Sequence, residues 1–277
     1  MSAVQALPLV LAAAAAAVIA PPALRALRHG RLEQTNYRGV ALPFPAGTVI
    51  VAAAALALVP LALLDELAGV DALRPELRQI AVYVLGVAFL GLFDDLLAGE
   101  PRGWRGHGAA VLRGGLSTGA VKAAGSLGLA LYALSDQGYG DGQYLLAVGV
   151  LVLATNLFNL LDLRPGRSFK AFVLLGAGLC VGALDTTALA ALGLFAGPVL
   201  VVGLHDLRER AMLGDTGSNL IGALAGLWIV LTLGTTGQLV ALAVIAATTA
   251  YGEFRSISKL VERAPLLRQL DSLGRPR

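Results

Sequence analysis

Cysteine is nearly absent from this chain: Cys180 is the only one in 277 residues, which excludes an intramolecular disulfide. Charge is scarce as well, at 14% of residues, and aromatics make up only 6%. An ordinary soluble domain carries roughly 25% charged residues. What fills the space is alanine, leucine, valine and glycine, giving 57% hydrophobic residues and a mean hydropathy of +0.75. The glycines and prolines are spread through apolar runs, so they mark no disordered linker. A run of strands, a long polar insert and an internal repeat are all missing. The composition therefore points to an all-α, polytopic integral membrane bundle.

A spanning helix needs about 20 mostly apolar residues. Runs of this kind lie near 5–26, 46–64, 79–97, 117–135, 144–162, 168–184, 186–204, 217–233 and 238–253. We expect about nine transmembrane helices, a bundle over residues 1–253, and a tail over 254–277. With the N-terminus outside, 19 of the 21 basic residues fall on one side, leaving only Arg74 and Arg78 on the other. The positive-inside rule puts the C-terminus and that basic side in the cytoplasm. This asymmetry also accounts for the net charge of +3 and the pI near 9.2 without nucleic acid. The first run lacks preceding basic residues and has Arg25, Arg28 and Arg31 after it, the polarity of an N-out helix rather than of a cleaved signal.

With this topology the acidic residues sort into two sets. Asp65, Glu66, Asp71, Glu76, Asp136, Asp141 and Asp185 fall in or beside external loops, as solvated charges do. On the cytoplasmic side, Asp94 and Asp95 close the third run, Asp162 closes the fifth, and Asp215 opens the eighth. A helix C-terminus disfavours a carboxylate by ~0.3–1 kcal/mol. Aspartate is also too short to snorkel. Three aspartates at such ends call for a cation, and Mg²⁺ suits one or two carboxylates plus substrate phosphates.

Each piece also has a plain structural explanation. Asp215 before Thr216 and Ser218 fits a helix cap. Asn156 and Asn159 fit amide contacts between helices. Together they converge at one depth, and intramembrane ionisable residues are functional by default. On a helix, positions 156, 159 and 162 fan across about a third of the circumference, a polar stripe running to the rim. Arg164 and Arg167, around Pro165 and Gly166, then add guanidinium groups suited to phosphate. Carboxylates for metal beside arginines for phosphate suggest phosphoryl transfer.

GLFDD, NLFNLLD and MLGDTGSNLIG, in that order, resemble motifs of the polyprenyl-phosphate N-acetylhexosamine-1-phosphate transferases. This MraY-like family includes the phospho-N-acetylmuramoyl-pentapeptide transferase of peptidoglycan synthesis. The resemblance covers roughly residues 30 to 255, including an altered Gly/Pro loop, NYRGVALPFPAG. It implies Mg²⁺-dependent transfer of a sugar 1-phosphate from a UDP-sugar to polyprenyl phosphate, releasing UMP, at a bacterial-type plasma (inner) membrane. It implies catalytic roles for Asp94, Asp95 and Asp162, and metal ligation by Asp215 with Asp95. Lys122, Asn156, Asn159, Arg164, Arg167, Arg210, Gly217 and Ser218 would then bind substrate.

Two family features differ. A second acidic position usually follows the asparagine motif; here LRPGR follows Asp162. A cytoplasmic histidine cluster is also missing, and the only histidines are His29, His107 and His205. A polyprenyl-phosphate-binding scaffold in envelope assembly is accordingly the alternative, and a transporter is a third. The loop EPRGWRGHGAAVLRGG suits either nucleotide or anionic headgroups. The amphipathic tail is expected along the membrane interface, with room for a homodimer contact.

Overall fold

The computed structural model describes residues 1–97, 118–135 and 137–276. Among these residues the chain forms eleven helices and one short hairpin. The long helices are α1 (Ala3–His29), α2 (Gly47–Ala68), α3 (Leu77–Leu96), α4 (Thr118–Leu134), α5 (Asp141–Leu161), α6 (Arg167–Ala183), α7 (Thr187–Leu207), α8 (Gly214–Thr232) and α9 (Thr235–Phe254). Two short helices follow, α10 (Ile257–Arg263) and α11 (Pro265–Ser272). Six of them, α1, α2, α3, α5, α7 and α9, are long and apolar enough to cross a membrane. That makes the chain a helical membrane protein associated with a lipid bilayer. Helices α4 and α6 have 17 residues each, and α8 begins with a polar turn.

Helix α8 forms the axis of the bundle. Every residue from 216 to 230 is buried, and α2, α3, α5, α6 and α7 all pack against it. A helix apolar all round is stable only inside such a ring. Small residues permit the approach: a side chain at Gly222 would come within 2.7 Å of the Thr155 Cα on α5. Phe172 of α6 meets Trp228 edge-to-face, with centroids 5.4 Å apart.

The all-helical expectation holds, and the Gly/Pro loop adds one short hairpin to it. Strands β1 (Glu33–Thr35) and β2 (Ala41–Pro43) pair antiparallel. Asn36 closes their turn, its Oδ1 accepting the N–H groups of Arg38 and Val40, while Gly39 takes φ +79°. The exit of the hairpin then meets the entry of α8. Met212 N donates to Pro43 O, Ala46 N to Met212 O, and Gly47 N to Leu213 O, at 2.8–3.0 Å. A local turn signal and three main-chain bonds thus fix where α8 begins.

Candidate active site

Four helix ends meet beside this junction: the C-termini of α3 and α5 and the N-termini of α4 and α8. Contact there is backbone to backbone. A Cβ on Gly47 would collide with the Gly217 main chain, and one on Gly91 with the Asp215 carbonyl. Gly214 needs its φ of +71°, and a side chain there would press on Asp95 at 2.7 Å. The glycines of GDTGS are therefore steric requirements of seating α8 against α2 and α3.

Lys122 lies at the centre of the polar cluster. Its ammonium contacts Asp94 Oδ2 at 2.8 Å and also the Asp215 carboxylate. The same Asp215 Oδ2 accepts Asn159 Nδ2 at 3.2 Å, and Ser218 Oγ donates to Asn159 Oδ1 at 3.3 Å. Residues from α3, α4, α5 and α8 thus form one chain of polar contacts. Asn159 acts as interhelical glue and as a hydrogen-bond donor to the central carboxylate at once. Asn156, half-buried on the preceding turn, makes no side-chain hydrogen bond among the described residues.

Asp95 has a structural role besides the one expected for it. Its Oδ1 accepts Asp215 N at 2.8 Å, and its Oδ2 accepts Thr216 N at 2.9 Å and Thr216 Oγ1 at 2.6 Å. The residue preceding α8 is Leu213, which has no capping side chain. The first N–H groups of a helix need outside acceptors. Asp95 supplies them from another helix, so the cap that the sequence suggested for Asp215 comes from α3.

Asp162 sits on the next turn, where its Oδ1 is buried without a partner among the described residues. It lines a small cavity of about 30 Å³ with Asn36, Arg164 and Asp206, room for about one water. Asp206, only 2% exposed, was not among the residues singled out from sequence. Its Oδ2 accepts Gly166 N at 2.6 Å, pinning the LRPGR turn at its left-handed glycine. Asp206 of α7 thus places a second carboxylate beside Asp162 in the same cavity. An aspartate next to His205 in an apolar run was the only sequence signal for it.

The arginines expected to clamp phosphate bind the tail instead. Arg167, 6% exposed, donates Nε and Nη2 to Asp271 at 2.7 and 3.2 Å, and Nη1 to Ser258 at 2.9 Å. Arg275 contacts the same carboxylate at 2.8 and 3.0 Å and gives Nε to Pro165 O. Lys170 donates to the carbonyls of Leu270, Asp271 and Leu273, the C-terminal end of α11. Arg164 reaches Glu262 at 2.6 Å. Burial alone would raise the Asp271 carboxyl; the hydrogen bonds and charges of Arg167 and Arg275 outweigh it and hold the group well below the usual carboxylate range. The tail expected along the interface is therefore also docked on the bundle. Arg210 is exposed and makes no side-chain hydrogen bond or ion pair among the described residues. Arg102, Trp104, Arg105, His107, Arg113 and Asp136 lie outside the described residues.

The fit to Mg²⁺ rests on the Lys122 contacts. Asp94 and Asp215 already converge on one cation, the ammonium, with hard oxygen atoms of the kind Mg²⁺ takes. Among the described residues no group of three or more His, Cys, Asp or Glu surrounds a common point. A protein that contributes only one or two carboxylates matches the preference of Mg²⁺ to keep waters and substrate phosphates as its other ligands. No family model matches the chain, and no curated protein shows detectable similarity to it.

Proposed function

We propose that the protein is a phosphoglycosyl transferase that moves a sugar 1-phosphate, of the phospho-N-acetylhexosamine type, from a UDP-sugar to polyprenyl phosphate. The observation that carries this reading is the meeting of Asp94, Lys122, Asn159 and Asp215 at one end of the bundle. These residues come from the three motifs that resemble the transferase family, and from the family-like lysine. In this reading the bundle has nine spans, its N-terminus outside, and the site faces the cytoplasm of a bacterial-type inner membrane.

Asp215 and Asp94 would hold Mg²⁺, which when bound neutralises charge on a diphosphate leaving group. Lys122 shuttles its ammonium between these carboxylates and an incoming phosphate. Asn159 and Ser218 fix the rotamer of Asp215, and Asp95 fixes the helix turn that carries it. Asp94 orients the acceptor phosphate or takes its proton. Such transfers rest on positioning and electrostatics more than on covalent chemistry. The test is radiolabelled transfer from UDP-GlcNAc or UDP-MurNAc-pentapeptide to undecaprenyl phosphate. Wild type should form lipid-linked product, and Asp215→Asn should lose about 10²–10³-fold, the usual scale for removing one preorganised electrostatic group. No product from either donor counts against the transferase.

A second reading, a polyprenyl-phosphate-binding scaffold, draws on one specific observation. Arg167 is fully engaged by Asp271 and Ser258 and is not offered to a ligand. Undecaprenyl phosphate binding without transfer would favour it.

A further inference from the structure

A groove of about 750 Å³ runs between the hairpin and the tail, separate from the Lys122 cluster. Its charged lining is four arginines, Arg38, Arg164, Arg268 and Arg275, against two acids, Glu262 and Asp271. Asp271 is already fully committed to Arg167 and Arg275. Arg38 uses Nε on the Tyr37 hydroxyl and Nη2 on the Pro276 carbonyl, and lies 3.6 Å from Glu209, which leaves Nη1 open. Arg164 uses only Nη2, on Glu262. The Arg268 side chain, which lines the groove, has no hydrogen bond or ion pair among the described residues. The Tyr37 ring sits under both Arg38 and Arg164, at 5.4 and 5.3 Å from its centroid, and holds the two guanidinium groups on one platform.

Three guanidinium groups with spare donors on a concave wall, whose two acids are already paired with arginines, make a site for a compact multivalent anion. Planar forked donors fit oxyanions better than chloride, and several such cations together suit the three oxygens and higher charge of a phosphate more than a single carboxylate. We propose that this groove binds a phosphate group, and that the bound phosphate clamps the tail against the hairpin. The chemistry admits two sources, an anionic lipid headgroup or a soluble phosphate. Leu266 and Leu270 on α11, and Leu273 just beyond its end, are exposed, so apolar contact and basic charge occur together on this tail. The proposal does not depend on the transferase reading, because none of its residues touches Asp94, Lys122 or Asp215.

The experiment uses the full-length protein in dodecyl maltoside, a detergent without phosphate. Amide exchange over residues 257–272 is followed as inorganic pyrophosphate is added or phosphatidylglycerol is doped into the micelles, with diacylglycerol as the uncharged control. Exchange in the tail should slow with at least one phosphate probe. Arg268→Ala, a change at an exposed side chain, should weaken the apparent affinity about fivefold. Protection by phosphatidylglycerol alone assigns the site to a headgroup; protection by pyrophosphate alone assigns it to a soluble anion. The proposal is overturned if tail exchange is unchanged by both probes, or if Arg268→Ala responds as wild type does.

Discussion

Two polar clusters lie at the same end of the bundle and are built on opposite principles. Around Lys122, one cation serves two carboxylates, and the charge is unbalanced toward the negative. Around Asp271, one carboxylate serves two arginines, and its oxygens are fully occupied by guanidinium donors. The first cluster has capacity for another cation; the second is closed by its own chain. The difference separates the centre proposed for chemistry from a latch that holds the tail.

Breaking the latch should give the largest effect. Asp271→Asn leaves Arg167 buried without its counterion, which costs about 3–5 kcal/mol against the docked tail. Limited proteolysis should then cut within 256–276 while the remaining bundle stays intact. Lys122→Ala acts on the other cluster and costs about 3 kcal/mol, the lower end of the same range because its partners are partly exposed. It also removes the resident cation, so Mg²⁺ should raise the thermal midpoint of this variant more than that of wild type. An equal or smaller Mg²⁺ shift in Lys122→Ala would falsify the view that ammonium and metal share one site. Gly47→Ala forces α2 away from the α8 backbone and should destabilise by about 1–3 kcal/mol, seen as a lower midpoint of thermal unfolding.

Acid separates the clusters in another way. The Asp271 carboxyl is depressed from 3.8 to about 2, so its stabilising effect is complete above the ordinary value and lost as pH falls through the depressed one. Proteolytic protection of the tail should therefore persist at pH 5 (about one unit above the ordinary carboxylate range) and disappear between about 4 and 2. Glu262→Gln should do least. Its pair with Arg164 is exposed at the surface, 28% and 51% for the two side chains, and is worth about 0.2–1 kcal/mol. Tail protection in this variant should match wild type within error.

The two regions were also unequally legible in the sequence. The apolar runs are local and continuous, and each coincides with a helix of the structure within a few residues. Asp94, Lys122, Asn159 and Asp215 could be grouped because each sits at the end of such a run, and run ends on one side must lie near one another. The latch has no comparable signal. Asp271 meets Arg167 across 104 positions, and the short amphipathic tail gave no sign of which turn it would return to. The capping role of Asp95 was hidden for a related reason: a helix cap supplied by another helix, 120 residues away, leaves no local pattern. The hairpin was hidden because only three residues pair on each side, too few to show alternation.

Where Gly47, Gly91 and Gly217 bring main chain against main chain, no rotatable group intervenes between the wall of the bundle and the segment bearing Asp215. The placement of that carboxylate is inherited from backbone geometry. Extensive exchange of one aliphatic residue for another in the outer helices would leave it where it is, whereas a single methyl group added at this seam would move it.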